Sequence, residues 1–224
     1  DTLDRIIAIY LWKCGLLEGF ETQWMRNAIQ RGMCVLDIGA NIGYYTLLMA
    51  DLVGKEGAVY AFEPEPANYS VLVRNVALNG HKNVVVVPKA VVSSNHSVKF
   101  YKNKGNRGDN SLYGSLGVNY ACIEVEGVSL DSYFPSGKKI DFIKMDIQGG
   151  EIEAFGGMER VIHDNPKIKI IFELTPEKYD DPAADTVSFL SALQDRYGLT
   201  LLRIDERNRV TCLLSRDDIA RIAE

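Results

Sequence analysis

From Met33 to about residue 197, short apolar runs alternate with longer segments whose apolar positions recur every three or four residues, and no other feature limits the fold so sharply. The runs fall at 33–38, 58–63, 84–88, 140–146 and 168–174, and the helical segments at 43–53, 66–79, 150–163 and 183–197. Strands and helices in strict alternation build βαβ units, so an α/β, doubly wound, mostly parallel sheet with helices on both faces is expected. Near the end, "LTLLRID" and "RVTCLL" flank Glu206-Arg207-Asn208, a turn short enough to close an antiparallel hairpin.

A length of 224 residues suits one domain, 1–224, with two additions. Residues 1–32 read as a helical cover, because Leu3, Ile6, Ile7, Tyr10 and Leu11, then Trp24, Met25, Ala28 and Ile29, keep the helical period up to Gly32. Residues 97–128 read as an insertion: "SVKFY" and "CIEVEGV" form an edge hairpin around the exposed loop "NKGNRGDNSLYGSLG". A loop of that length is often functional.

With 46% apolar and 25% charged residues, disorder and coiled coil are excluded. The net charge of −5 argues against a broad nucleic-acid surface, which needs clustered Lys and Arg. No apolar run approaches the roughly 20 residues of a membrane span, and the first residues lack the basic head and apolar stretch of a signal peptide. Cys14, Cys34, Cys122 and Cys212 form no C-x-x-C pair, so no structural zinc is expected, and they read as reduced, mostly buried thiols of a cytoplasmic protein.

The stretch "VLDIGANIGYYT" ends a strand at Asp37-Ile38 and turns through Gly39-Ala40-Asn41 into a helix at Gly43. Glycines there let backbone N–H groups approach a ligand. A nicotinamide site would carry a glycine at the position of Asn41, which counts against a dehydrogenase. Glu63, ending the strand "VYAFE", lies 20 residues after Gly43, the interval at which a carboxylate reaches ribose hydroxyls. A nucleoside without a pyrophosphate points to S-adenosyl-L-methionine. Asp37 suits its ammonium, the turn's N–H groups and Asn41 its carboxylate end, and Tyr44 or Tyr45 could bring a ring to its sulfonium.

The runs "LDIGANIGYYT", "VYAFEPEPANYSVLVRNVALNG", "NVVVVPKAV", "SLDSYFPSGKKIDFIKMDIQGGEIEAFGGM" and "IKIIFEL" follow one another over residues 34–175, and in that order the chain resembles the FkbM-type S-adenosylmethionine-dependent methyltransferases. The resemblance implies a Rossmann-like methyltransferase sheet with one antiparallel strand near the C terminus. It also implies methyl transfer to oxygen, commonly a hydroxyl of a sugar or natural product. By position it assigns Asp37, Gly39, Asn41 and Gly43 to the methionine part, Glu63 to ribose, and Ala90 or Val91 to adenine. "IKMDIQGGE" departs from the family's D-[VI]-E-G-x-E by carrying Gln148 where an acid is common, while Asp146 and Glu151 are kept.

Asp146 and Glu173 end the fourth and fifth strands and are the expected catalytic carboxylates, with Asp146 as base or acceptor-orienting group. A structural role in the Gln148-Gly149-Gly150 turn is the competing reading for Asp146. His81, His96 and His163 form no cluster, and no metal is expected. Asn110-Ser111-Leu112-Tyr113 is the candidate acceptor segment. The leading expectation is an O-methyltransferase acting on a small carbohydrate or carbohydrate-bearing metabolite; the alternatives are a non-catalytic S-adenosylmethionine-binding module and, behind it, an NAD-dependent oxidoreductase. Pairing with a second copy of the chain is left open.

Overall fold

A computed structural model describes residues 19–103, 110–112 and 120–221, so the helical reading of residues 1–18, Cys14 and Tyr113 lies outside the described residues. The first half runs α1 (Gly19–Ala28), β1 (Cys34–Ile38), α2 (Tyr44–Val53), β2 (Ala58–Phe62), α3 (Pro66–Leu78), β3 (Val84–Val87), β4 (Ala90–Val91), β5 (Ser97–Asn103) and β6 (Tyr120–Val128). The second runs α4 (Leu130–Tyr133), β7 (Phe142–Met145), α5 (Glu151–Gly156), α6 (Glu159–Asp164), β8 (Lys169–Phe172), α7 (Pro182–Asp195), β9 (Leu202–Asp205), β10 (Val210–Leu213) and α8 (Arg216–Ala220).

β3, β2, β1, β7 and β8 form one sheet in that order, every neighbouring pair parallel. Side chains alternate across it. Val35, Val59, Phe142 and Ile171 face Met25 of α1 and Met49 and Val53 of α2, while Leu36, Ile38, Ile143 and Met145 face Phe155, Ile162 and Leu190. The register sets Asp37 opposite Lys144, so one acid and one base share the α2 face. A slip of either strand by one residue would drive its charge into the opposite apolar layer, which fixes the pairing firmly.

The doubly wound α/β class is as expected. The C-terminal antiparallel strands pair with each other as a separate two-stranded sheet. The turn between them presents Glu206 to the start of α1, where its carboxylate accepts the backbone N–H groups of Phe20 and Glu21 at 3.2 and 2.6 Å. The exposed hairpin thereby satisfies donors that a helix start cannot pair internally.

Two expectations need correction. The helix read over 150–163 is two, α5 and α6, because Gly157 passes so near Val92 that a Cβ would stand 2.1 Å from that residue's carbonyl oxygen. Its own carbonyl accepts the Asp131 N–H at 2.9 Å instead of continuing a helix. The cysteines are not mostly buried: Cys122 and Cys212 are exposed and Cys34 half-buried, none in a disulfide. On β6, Cys122 shares the outward set with Glu124 and Glu126.

The insertion is an antiparallel pair, β5 with β6, whose Lys102 Nζ lies 2.5 Å from Glu65 Oε1 at the head of α3. Burial alone would raise the Glu65 carboxyl, but Lys102 and the N–H groups of Asn68 and Ala67 outweigh it and hold the group below its usual value. The clamp holds the hairpin over the C-terminal ends of the parallel strands, where ligands gather in such sheets. Among the described residues no helix is long and apolar enough to cross a membrane.

Candidate functional site

Gly39 leaves β1 with φ +82°, and a Cβ there would stand 1.9 Å from the Asp146 carbonyl oxygen. Only glycine lets the ends of β1 and β7 approach this closely. Gly43, at φ +98°, takes Leu72 of α3 against it, and the Asn75 amide ties the turn by donating to the Ile42 carbonyl at 2.7 Å.

Four of the turn's N–H groups, those of Gly39, Ala40, Asn41 and Gly43, are taken up inside the protein rather than held out to a ligand carboxylate. Those of Gly39 and Ala40 both donate to the Phe62 carbonyl at 3.0 Å, and that of Gly43 to the Ala40 carbonyl at 2.8 Å. The Asn41 N–H donates to Glu63 Oε2 at 2.8 Å. These bonds lock the turn to β2, a demand of the backbone that spacing alone does not reveal.

Asp37 is 1% exposed and accepts the Thr46 hydroxyl at 2.5 Å. Burial pushes its carboxyl up to about 6, against the opposing pull of Lys144 and Thr46. Glu63 is also buried; its other oxygen accepts the Glu65 N–H at 2.9 Å, and burial pushes it up to about 7 although both backbone donors favour the ionised form. Glu65, not Glu63, caps α3, accepting the Asn68 N–H at 2.7 Å. Glu63 is therefore a buried acid spared from capping, at the mouth of a cleft.

At the end of β7, Lys144 is buried with its Nζ 3.3 Å from Asp146 Oδ2 and 4.5 Å from the centre of the Tyr45 ring. The face of Tyr45 expected to meet a ligand cation thus meets an internal ammonium, and Tyr44 stands edge-on to it with centroids 4.9 Å apart. Asp146 Oδ1 accepts the Gln148 amide at 2.8 Å, and the same nitrogen reaches Glu173 Oε2 at 3.4 Å. Gln148 so links two carboxylates where an acid would repel both. The turn beyond it is held by Glu151, whose oxygens accept the Gly149 N–H at 2.8 Å and the Tyr179 hydroxyl at 2.9 Å, and whose carboxyl burial raises.

Asp37, Gly39, Ala40, Asn41, Tyr44, Tyr45, Glu63, Ala90, Val91 and Asp146 all line one cleft, joined by Asn110 and Leu112 from the insertion. Ser111, fully buried, donates its hydroxyl to the Gln148 carbonyl at 2.5 Å, which seats that segment beside Asp146. Gly43 lies behind the cleft, packed on Leu72. Glu173 does not line it: the side chain is exposed and meets the site through the Gln148 amide. Sequence reasoning missed Lys144 and Asn68, which also line the cleft. A lysine inside the apolar strand "FIKM" was the available signal for the first. None of the three histidines lines the cleft, and among the described residues no group of three or more metal-ligating side chains converges.

Residues 37–197 match the family model of the Methyltransferase FkbM domain. Methyltransferase sdnD of Sordaria araneosa is 30% identical over 156 residues, 56% of this chain and 60% of that protein, so the match spans about three fifths of the relative's length. Over a shorter stretch of 59 residues, 26% of this chain and 27% of the relative, the chain is 37% identical to Protein-L-isoaspartate O-methyltransferase 1 of Archaeoglobus fulgidus. Among solved structures, an rRNA-methylase chain from Clostridium thermocellum superposes with a TM-score of 0.51 at 12% identity, covering 87% of this chain and 89% of that one, a likeness of fold alone. With the family model covering residues 37–197, well over half of the chain, the chain belongs to the FkbM methyltransferase domain family.

Proposed function

We propose that the cleft binds S-adenosyl-L-methionine and that the protein methylates an oxygen of a small acceptor, a hydroxyl on a sugar or sugar-bearing metabolite. The observation that carries this reading is the meeting of Asp37, Glu63 and the turn residues Gly39, Ala40 and Asn41 in one cleft with Asp146. The residues fit the cofactor's groups. Glu63 offers lone pairs to a ribose diol, Ala90 and Val91 an apolar wall for adenine, and Asp37 an anion for an ammonium. Lys144, beside Asp37, is the buried cation suited to the methionine carboxylate in place of the turn's N–H groups.

The cofactor would supply a methyl group on a sulfonium, already a good leaving group, so positioning carries much of the catalysis. Asp146, at the cleft, is suited to take the acceptor hydroxyl's proton or to orient it, with Lys144 and Gln148 holding one oxygen each. Glu173 would act through Gln148, as a positioning residue. Asn110 and Leu112 would meet the acceptor. Protein-L-isoaspartate O-methyltransferases among the relatives, matched over short stretches, favour oxygen as the acceptor atom. Unpaired Cys34, Cys122 and Cys212 support a reducing, cytoplasmic setting.

A second reading, binding without methyl transfer, draws on Gln148, whose amide engages the proposed base. Calorimetric titration with S-adenosylmethionine, S-adenosylhomocysteine and NAD(H), alongside Glu63→Ala, tests both. Saturable binding of the adenosyl ligands, weakened at least about tenfold in the variant, supports the cofactor reading. Binding of NAD(H) alone would overturn it. Methyl transfer to none of a broad hydroxyl panel, despite tight cofactor binding, would favour the second reading.

A further inference from the structure

Asn68 sits in the first turn of α3 and lines the cleft, yet it is 1% exposed. Its backbone N–H goes to Glu65, but its side-chain oxygen finds no hydrogen-bond donor. A buried polar atom without a partner is costly and uncommon in a native fold. One in the wall of a ligand cleft points to a partner that arrives with the ligand.

The helix decides which part of the ligand. Asn68, Leu72 and Val76 are the buried residues of α3, spaced one turn apart on one face, and Leu72 of that face packs on Gly43. Asn68 is one turn closer to the strand ends, on the side of Glu63 and Asn41. Glu63 already gives one lone pair of each oxygen to a backbone N–H, those of Asn41 and Glu65. An ionised carboxylate only accepts, whereas each hydroxyl of a ribose diol carries one proton and two lone pairs. Glu63 alone leaves the diol incompletely paired. A carboxamide both accepts and donates, so it can pair with a hydroxyl in either orientation of its O and N.

We propose that Asn68 is a further ligand-contacting residue, whose carboxamide hydrogen-bonds one ribose hydroxyl beside Glu63 and makes the cleft selective for an intact 2′,3′-diol. The proposal rests on the reading that the cleft takes an adenosyl ligand, and it concerns binding, so no acceptor is needed to test it.

The test is calorimetric titration of wild-type protein, Asn68→Ala and Asn68→Leu with S-adenosylhomocysteine, 5′-methylthioadenosine, and the 2′-deoxy and 3′-deoxy forms of the latter. Both variants are expected to bind the two diol ligands about tenfold more weakly. One deoxy ligand is expected to bind wild type and variants alike, since the hydroxyl that Asn68 reads is already gone. Because the unpaired oxygen is removed, the unliganded variants should melt no lower than wild type, with Asn68→Leu guarding against loss of packing. Diol affinity within twofold of wild type in both variants overturns the proposal, as does equal weakening for all four ligands, the mark of a structural role. If wild type binds S-adenosylhomocysteine while the variants are unaffected, only this inference falls; if wild type binds neither diol ligand, the cofactor reading falls and takes this inference with it.

Discussion

On the proposed cofactor reading, Glu63 and Asp37 make binding sensitive to pH near neutrality. Burial holds Glu63 at about 7 in the free protein, and with one N–H already on each oxygen only its ionised form keeps an open lone pair on both for the two ribose hydroxyls. Below that value the site must release a proton before the ligand can bind. The apparent affinity then falls by about tenfold between pH 8 and pH 6, with about a further twofold from Asp37, held at about 6, when it must ionise to meet an ammonium. The assay is calorimetry with S-adenosylhomocysteine at pH 8, 7 and 6 in buffers of different ionisation heat, which counts the protons released. About one and a half protons at pH 6 and almost none at pH 8 are expected, and Glu63→Gln should bind weakly with most of the dependence gone. Folding runs the other way. Both carboxyls titrate higher in the folded chain than their ordinary values, so their stabilising effect is full at acid pH and is lost as pH rises through about 6 and 7. For Glu63 alone the difference is about 3 kcal/mol. The ligand should therefore raise the melting temperature more at pH 8 than at pH 6. An affinity that is flat between pH 6 and 8, with no proton release, would refute the argument.

Three further outcomes follow from the same geometry. Gly39→Ala should destabilise the fold by about 3 kcal/mol, from the clash with the Asp146 carbonyl and the positive φ together, read as a drop in the denaturation midpoint; an unchanged midpoint would mean the strand ends are not in contact. Lys144→Met removes the buried cation beside Asp37 and Asp146 and should cost about 3 kcal/mol at pH 7.5, less at pH 5, where Asp37 protonates; equal losses at both values would contradict the charge coupling. Gln148→Glu would set a third carboxylate between Asp146 and Glu173, so the variant should melt lower than wild type at pH 8 and recover on adding magnesium or manganese, with no such response in wild type. A variant that melts like wild type without added ions would show that the amide bridge is dispensable.

Much of the architecture was legible in the residues because it depends on local pattern. The spacing of apolar runs and helical segments is enough to set strands, helices and a parallel sheet, and a glycine turn with an acid 20 residues later picks out residues that line one cleft. The break between α5 and α6 was not legible. It is forced by Val92, a residue far away in sequence, against Gly157.

The site divides in the same way. Asp37, Glu63 and Asp146 are named by where they fall on their strands, since parallel strands all end at one edge of the sheet. What each acid does was decided by its neighbours in space. Only tertiary packing turned the N–H groups of Gly39, Ala40 and Asn41 inward to Phe62 and Glu63, gave the cap of α3 to Glu65, and moved Glu173 out of the cleft behind the Gln148 amide. Packing also buried Lys144 and Asn68 in the cleft wall, where the sequence shows only a lysine in a strand and an asparagine in a helix. Periodicity determines which face a residue occupies; the partners it finds there, and hence its charge and chemistry, come from chain segments that sequence order keeps apart.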